Sequence, residues 1–197
     1  MEKFVADTKQ VIVDFDPFKG PVIERILPTT EAQREVYVAS VMGVDANCAY
    51  NESVSLILTG KLDRASLELA LIDLVRRHEA LRAVLNTNGT RTIVFDEVQV
   101  AIGYSDLHAL GQEERNKELK AIAHKDMTTP FDLVNGPLFR VSIMRMRADE
   151  YVLRLSGHHI LIDGWSLGIM MAEISALYNA HKKGGVLKLP PAVPLSE

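Results

Sequence analysis

The chain has 197 residues, 47% of them hydrophobic and 24% charged, with a formal net charge of -4 and one cysteine. That length accommodates one domain with its own core, or one lobe of something larger. No apolar run approaches the ~18 residues of a membrane span, interspersed charges leave no basic stripe for nucleic acid, and a lone Cys48 permits no internal disulfide and no cysteine metal cluster, in keeping with a reducing, cytoplasmic compartment.

Taken in chain order, Met1 to Pro28 lack sustained periodicity. "VIVDF" has strand character, but Pro17, Gly20, Pro21 and Pro28 break the segment, and no basic start with an apolar centre marks a secretion signal. Residues 1–25 are therefore expected to form an irregular lead-in. Thr30 followed by Gln33 has the form of a capping box, so a helix is predicted from about Glu31 to Met42. "ESVSLILTG" reads as a strand, and "GKLD" turns into a second helix whose Leu67, Ala70, Leu71, Leu74 and Val75 form one apolar stripe.

From Arg82 the pattern changes to short extended pieces, "RAVLNT" and "RTIVF", joined through the turn pair Asn88 and Gly89, with "VQVAIGY" as a further strand. A polar helix is predicted from Gln112 to about Met127, ending before "TTPFDLVNGP". "LFRVSIMRM" and "EYVLRLSGHHI" flank a short connection and are expected to pair antiparallel. A last helix starts near Trp165, with Leu167, Met170, Met171, Ile174, Leu177, Tyr178 and His181 at helical spacing. Trp165, Met170 and Met171 are read as core, "EERNKELK" and "RMRADE" as exposed faces, and Cys48 has no nucleophilic role. "KKGGVLKLPPAVPLSE" reads as linker. Helices interspersed with mainly antiparallel strands indicate an α+β sandwich, a sheet packed with helices.

The chemistry-bearing stretch is "SGHHILIDGWS", where His158 and His159 end a predicted strand and Asp163 and Gly164 precede a helix. Consecutive strand residues face opposite ways, so the two rings diverge and only one histidine and Asp163 share a face. That falls short of the roughly three ligands that a zinc or iron site needs. Two satisfied core histidines would account for the same residues. Against this stand the location at a strand end feeding a loop, the fitness of imidazole for moving protons near neutral pH, and the freedom of Gly164 to take a positive φ or admit a substrate. Asp163 serves either as the helix N-cap or as the partner of an arginine that holds the loop.

"HHILIDGWS" resembles the H-H-x-x-x-D-G motif of the condensation domains of nonribosomal peptide synthetases, within the chloramphenicol-acetyltransferase-like superfamily. "TEAQREVY" at Thr30 to Tyr37, "RRHEALR" at Arg76 to Arg82 and "PFDLVNGPLFR" at Pro130 to Arg140 stand in that family's order. Thr30 stands where the family usually has serine and Tyr37 where it has tryptophan or another large residue, and the histidine pair is not the aspartate-bearing motif of heterocyclising relatives. The family's later motifs, which belong to a second lobe, have no counterpart. The resemblance implies that residues 26–184 are an N-terminal lobe and that residues 185–197 lead toward a C-terminal lobe.

By the same resemblance the reaction is amide formation between a donor acyl or peptidyl thioester on an upstream carrier protein and an acceptor aminoacyl thioester on a downstream one. Both substrates ride on phosphopantetheine arms, and no cofactor or metal is bound directly. His159 is implied to meet the reacting amine, His158 to orient the strand, and Gly164 to leave backbone N–H groups near the thioester carbonyl. Asp163 is implied to pair with Arg82, or with Arg77. Two other readings stand beside it: a free-standing acyltransferase using a soluble acyl thioester, and a non-catalytic module that binds carrier proteins.

Overall fold

The computed structural model describes residues 20–195. "VIVDF" lies outside them. Among the described residues the first element is a strand, β1 (Ile23–Pro28), pairing antiparallel with Arg91–Phe95. This corrects the expectation of irregular chain up to residue 25, since the strand begins at Ile23. The strand escapes pattern reading because it is exposed or half-exposed throughout, so no alternation of buried and polar positions marks it.

Helix α1 (Glu31–Ser40) starts at the expected capping box: Gln33 N–H donates to Thr30 Oγ1 at 3.2 Å and Thr30 N–H to Gln33 Oε1 at 3.0 Å. A short helix α2 (Val44–Cys48) leads into β2 (Asn51–Thr59), and α3 (Arg64–Arg77) follows, capped by Asp63. All five residues of its predicted stripe are buried. Each leucine or valine so buried contributes about 1.5–3 kcal/mol of hydrophobic stabilisation. The single turn Glu79–Arg82 leads into β3 (Ala83–Leu85), which pairs antiparallel with β4 (Arg91–Phe95). Gly89 makes the turn between them with φ of +66°, a conformation that L side chains rarely adopt. Strands β1, β4 and β3 form one small sheet.

The main sheet has the order β2-β7-β6-β5, with β5 (Ile102–Asp106), β6 (Phe139–Arg147) and β7 (Glu150–His158). Strands β6 and β7 form the expected antiparallel hairpin, and β2 pairs antiparallel with β7. Strand β5 is parallel to β6, because the chain crosses between them through helix α4 (Gln112–Met127), as parallel neighbours require. Helix α5 (Gly164–Lys182) packs with α3 on one face of this sheet. There Leu71, Leu74, Met170 and Ile174 bury Val141, Ile143, Leu153 and Leu155. Helix α4 covers the other face, over Met144, Met146 and Val152.

Two surface expectations fail at single residues. Arg115, in the polar run of α4, is 9% exposed and donates to the carbonyls of Leu107, His108 and Leu110. Met146, in "RMRADE", is buried under α4. Trp165 departs in the opposite sense. It is 82% exposed rather than core, since it lies two residues before the buried Leu167 and therefore about 200° around the helix. Met170 is buried and Met171 half-buried. The segment after α5 has no regular structure but is held at two points, where Arg77 donates to Pro190 O and Leu195 N–H donates to Glu79 Oε2. Among the described residues no helix is long and apolar enough to cross a membrane.

Candidate active site

The site lies where β7 ends. Gly157 is the last small residue before the histidine pair, and a Cβ there would stand 2.5 Å from Ile162 Cδ1 and 3.1 Å from Ile162 Cβ. The absence of a side chain lets the chain fold straight back after the pair. Leu161 N–H and Ile162 N–H both return to His158 O, at 3.1 and 3.2 Å. His159 N–H is tied to Tyr50 O at 2.9 Å and His158 N–H to Leu138 O at 3.1 Å. The backbone of the pair is thus fixed from both sides.

The two rings part as strand alternation requires. His158 is fully buried, with Tyr50 and Phe131 against its ring at centroid distances of 5.9 and 6.0 Å. Its Nδ1 accepts from Ile160 N–H at 3.2 Å. A backbone N–H only donates, so Nδ1 carries the lone pair and the proton sits on Nε2. That proton points to Ser40 Oγ at 3.4 Å, and the Ser40 hydroxyl in turn donates to Val36 O at 2.7 Å. Burial, reinforced by His159 and Arg140, pushes the pKa of His158 down to about 4. It is a neutral, satisfied ring that joins β7 to α1.

His159 faces outward, its side chain 42% exposed. Its Nδ1 lies 2.9 Å from Glu52 Oε1 on β2. Among the described residues its Nε2 has no protein partner within hydrogen-bond geometry, so that nitrogen is open to a substrate. Glu52 was not singled out from the sequence. Its position follows from the register that sets it opposite Gly157, a pairing across about a hundred residues that no local pattern reveals.

Asp163 caps α5. Its Oδ1 accepts from Ser166 N–H at 2.7 Å and from Ser166 Oγ at 2.6 Å, and the Ser166 hydroxyl and N–H together hold its carboxyl below the usual carboxylate range. The expected pairing with Arg82 is not formed. Arg82 is 6% exposed and donates to Glu24 Oε2 at 2.7 Å, Val75 O at 3.2 Å, Asp96 O at 3.1 Å, and Phe95 O. Arg77 is also engaged elsewhere, with both carboxylate oxygens of Glu173 at 3.1 and 3.0 Å, where His78 Nε2 joins at 2.7 Å. Both arginines therefore brace the packing of α3 rather than the loop. The short exposed loop satisfies Asp163 locally, at the helix start, and leaves no buried charge for an arginine to neutralise.

Gly164 is the first residue of α5. Its φ lies outside the left-handed region, contrary to one expectation, but a Cβ placed there would meet nothing within 4 Å. The space beside it is open. His159, the capped helix start and Trp165 are all exposed.

Comparison with known proteins places these features in a family. The family described as Condensation domain matches residues 23–196. Chondramide synthase cmdD of Chondromyces crocatus is 34% identical over 157 residues, which are 79% of this chain and 4% of that protein. Malpinin synthetase of Mortierella alpina is 35% identical over 167 residues, 84% of this chain and 2% of that protein. Among solved structures, the starter condensation domain of rhizomide synthetase RzmA superposes with a TM-score of 0.79 at 20% identity, covering 87% of this chain and 43% of that one. The complex of the X-domain and OxyB from teicoplanin biosynthesis matches with a TM-score of 0.76 at 24% identity, covering 89% of this chain and 38% of that one. This chain spans a small part of either synthetase and under half of either solved chain. The structural likeness at these identities is one of fold.

Proposed function

The chain belongs to the condensation-domain family, and on that premise we propose that it is the N-terminal lobe of a domain that forms an amide bond between two carrier-bound thioesters. The acceptor amine attacks the donor thioester carbonyl. A C–N bond forms, the C–S bond breaks, and the amine proton passes to His159 Nε2 and from there to the departing thiolate. The observation that carries this reading is the division of labour within the histidine pair. His158 is buried with both nitrogens engaged, whereas His159 is half-exposed with Nε2 open. A proton acceptor needs such a nitrogen on a ring held by its backbone. Asp163 fixes the start of α5, and the open side of Gly164 leaves room for a thioester beside the first N–H groups of the helix, where developing negative charge is favoured. The donor and acceptor reach the site on the phosphopantetheine arms of upstream and downstream carrier proteins, and a C-terminal lobe supplies the opposite wall.

In a domain containing both lobes, His159→Ala is expected to lower product transfer between loaded carriers by about 10²- to 10⁴-fold while folding survives, the usual range for a general base. Activity within a few-fold of wild type would remove His159 from the mechanism. A second reading, a module that binds a partner without chemistry, draws on the likeness to the complex of the X-domain and OxyB. That reading predicts no dependence on His159 at all.

A further inference from the structure

We propose that Glu52 is a positioning residue for His159, holding the imidazole with its proton on Nδ1 and its Nε2 lone pair turned toward the reacting amine. The inference rests on the catalytic reading of His159 and adds a residue to it. Glu52 stands on β2 opposite Gly157, and β2 holds His159 by two contacts, the hydrogen bond from His159 N–H to Tyr50 O and the 2.9 Å approach of Nδ1 to Glu52 Oε1. The contact is a close ion-pair approach rather than a hydrogen bond; with the ring turned so that Nδ1–H meets the carboxylate, the lone pair is left on Nε2. The same carboxylate has no competing cation in the structure, since its one ion-pair contact among the described residues is His159. Asp163, the other carboxylate of the loop, is occupied by Ser166, and His158 is neutral behind the site. Glu52 is therefore the group able to set the tautomer of the reactive ring.

The test compares Glu52→Gln, Glu52→Asp, His159→Ala and the double variant Glu52→Gln/His159→Ala in the two-lobed domain. Glu52→Gln is expected to lower kcat about tenfold, the size of effect typical of a residue that orients a reactive ligand, with the acceptor KM unchanged and part of the loss recovered in Glu52→Asp. In the His159→Ala background the same substitution is expected to change nothing further. Imidazole 15N spectra of the 197-residue chain supply an independent readout, expected to show His159 protonated at Nδ1 and losing that preference in Glu52→Gln. An unaltered tautomer, a wild-type kcat, or an equal loss with and without His159 would overturn the positioning role. Wild-type activity of His159→Ala alone would instead overturn the catalytic reading on which it rests.

Discussion

At the scale of single residues, two adjacent histidines with the same side chain are made into different chemical objects by their surroundings. His158 has a folded pKa near 4 against an ordinary 6.5, so the unfolded chain takes up its proton first as pH falls. Its contribution to stability is fully present above about pH 6.5 and is lost as pH drops toward 4, an effect on the order of 3 kcal/mol. Unfolding of wild type and His158→Gln at pH 7 and pH 4 measures it: the stability difference between them should shrink by that amount, and an equal difference at both values contradicts the buried neutral ring. Asp163 and Arg82 make a second contrast. Asp163→Ala removes a cap and is expected to cost about 1 kcal/mol, whereas Arg82→Ala strips a buried cation from Glu24 and three carbonyls and is expected to cost about 3 kcal/mol. The two losses should add in the double variant. A measured coupling above about 1 kcal/mol would restore the pairing that the sequence resemblance implied. The divergence of the rings was legible because it needs only strand alternation. The partners were not: Ser40 and Glu52 reach the histidine pair, and Glu24 reaches Arg82, through pairings 58 to 118 residues apart or across strands.

At the scale of elements, the long helices were legible because their stripes and caps are local, whereas the five-residue α2 was not foreseen and α1 ends at Ser40 rather than Met42. The capping box at Thr30, the stripe of α3 and the bounds of α4 depend on residues within one or two turns of each other. Strand β1 and the parallel pairing of β5 depend instead on remote partners, and the sequence pattern is silent there. The turn after β7 rests on one close approach, of Gly157 to Ile162. Gly157→Ala is expected to destabilise by about 1–3 kcal/mol through overpacking. Ile162→Val, which deletes the Cδ1 that the new methyl would strike, costs about 0.5–1.5 kcal/mol by itself. Combined, the two should cost less than their sum in urea unfolding, since the second substitution makes room for the first. Strict additivity would contradict the contact.

At the scale of the whole molecule, α3 and α5 on one face of the four-stranded sheet and α4 on the other bury a separate apolar cluster each, and the chain is expected to fold by itself. The site is built differently. His159 is exposed at the end of β7 and Trp165, 82% exposed, stands at the start of α5, so in the proposed domain water bathes the reactive ring until a second lobe covers it. Holding two thioester arms in register is worth roughly 7–11 kcal/mol of barrier lowering, and one wall cannot hold both. The most direct measurement of the central claim incubates this chain with aminoacyl-loaded donor and acceptor carriers, with and without a separately produced C-terminal lobe, and follows the amide product. The account predicts product only when both lobes are present and His159 is intact; robust product from this chain alone, or equal product from His159→Ala with both lobes, would contradict it.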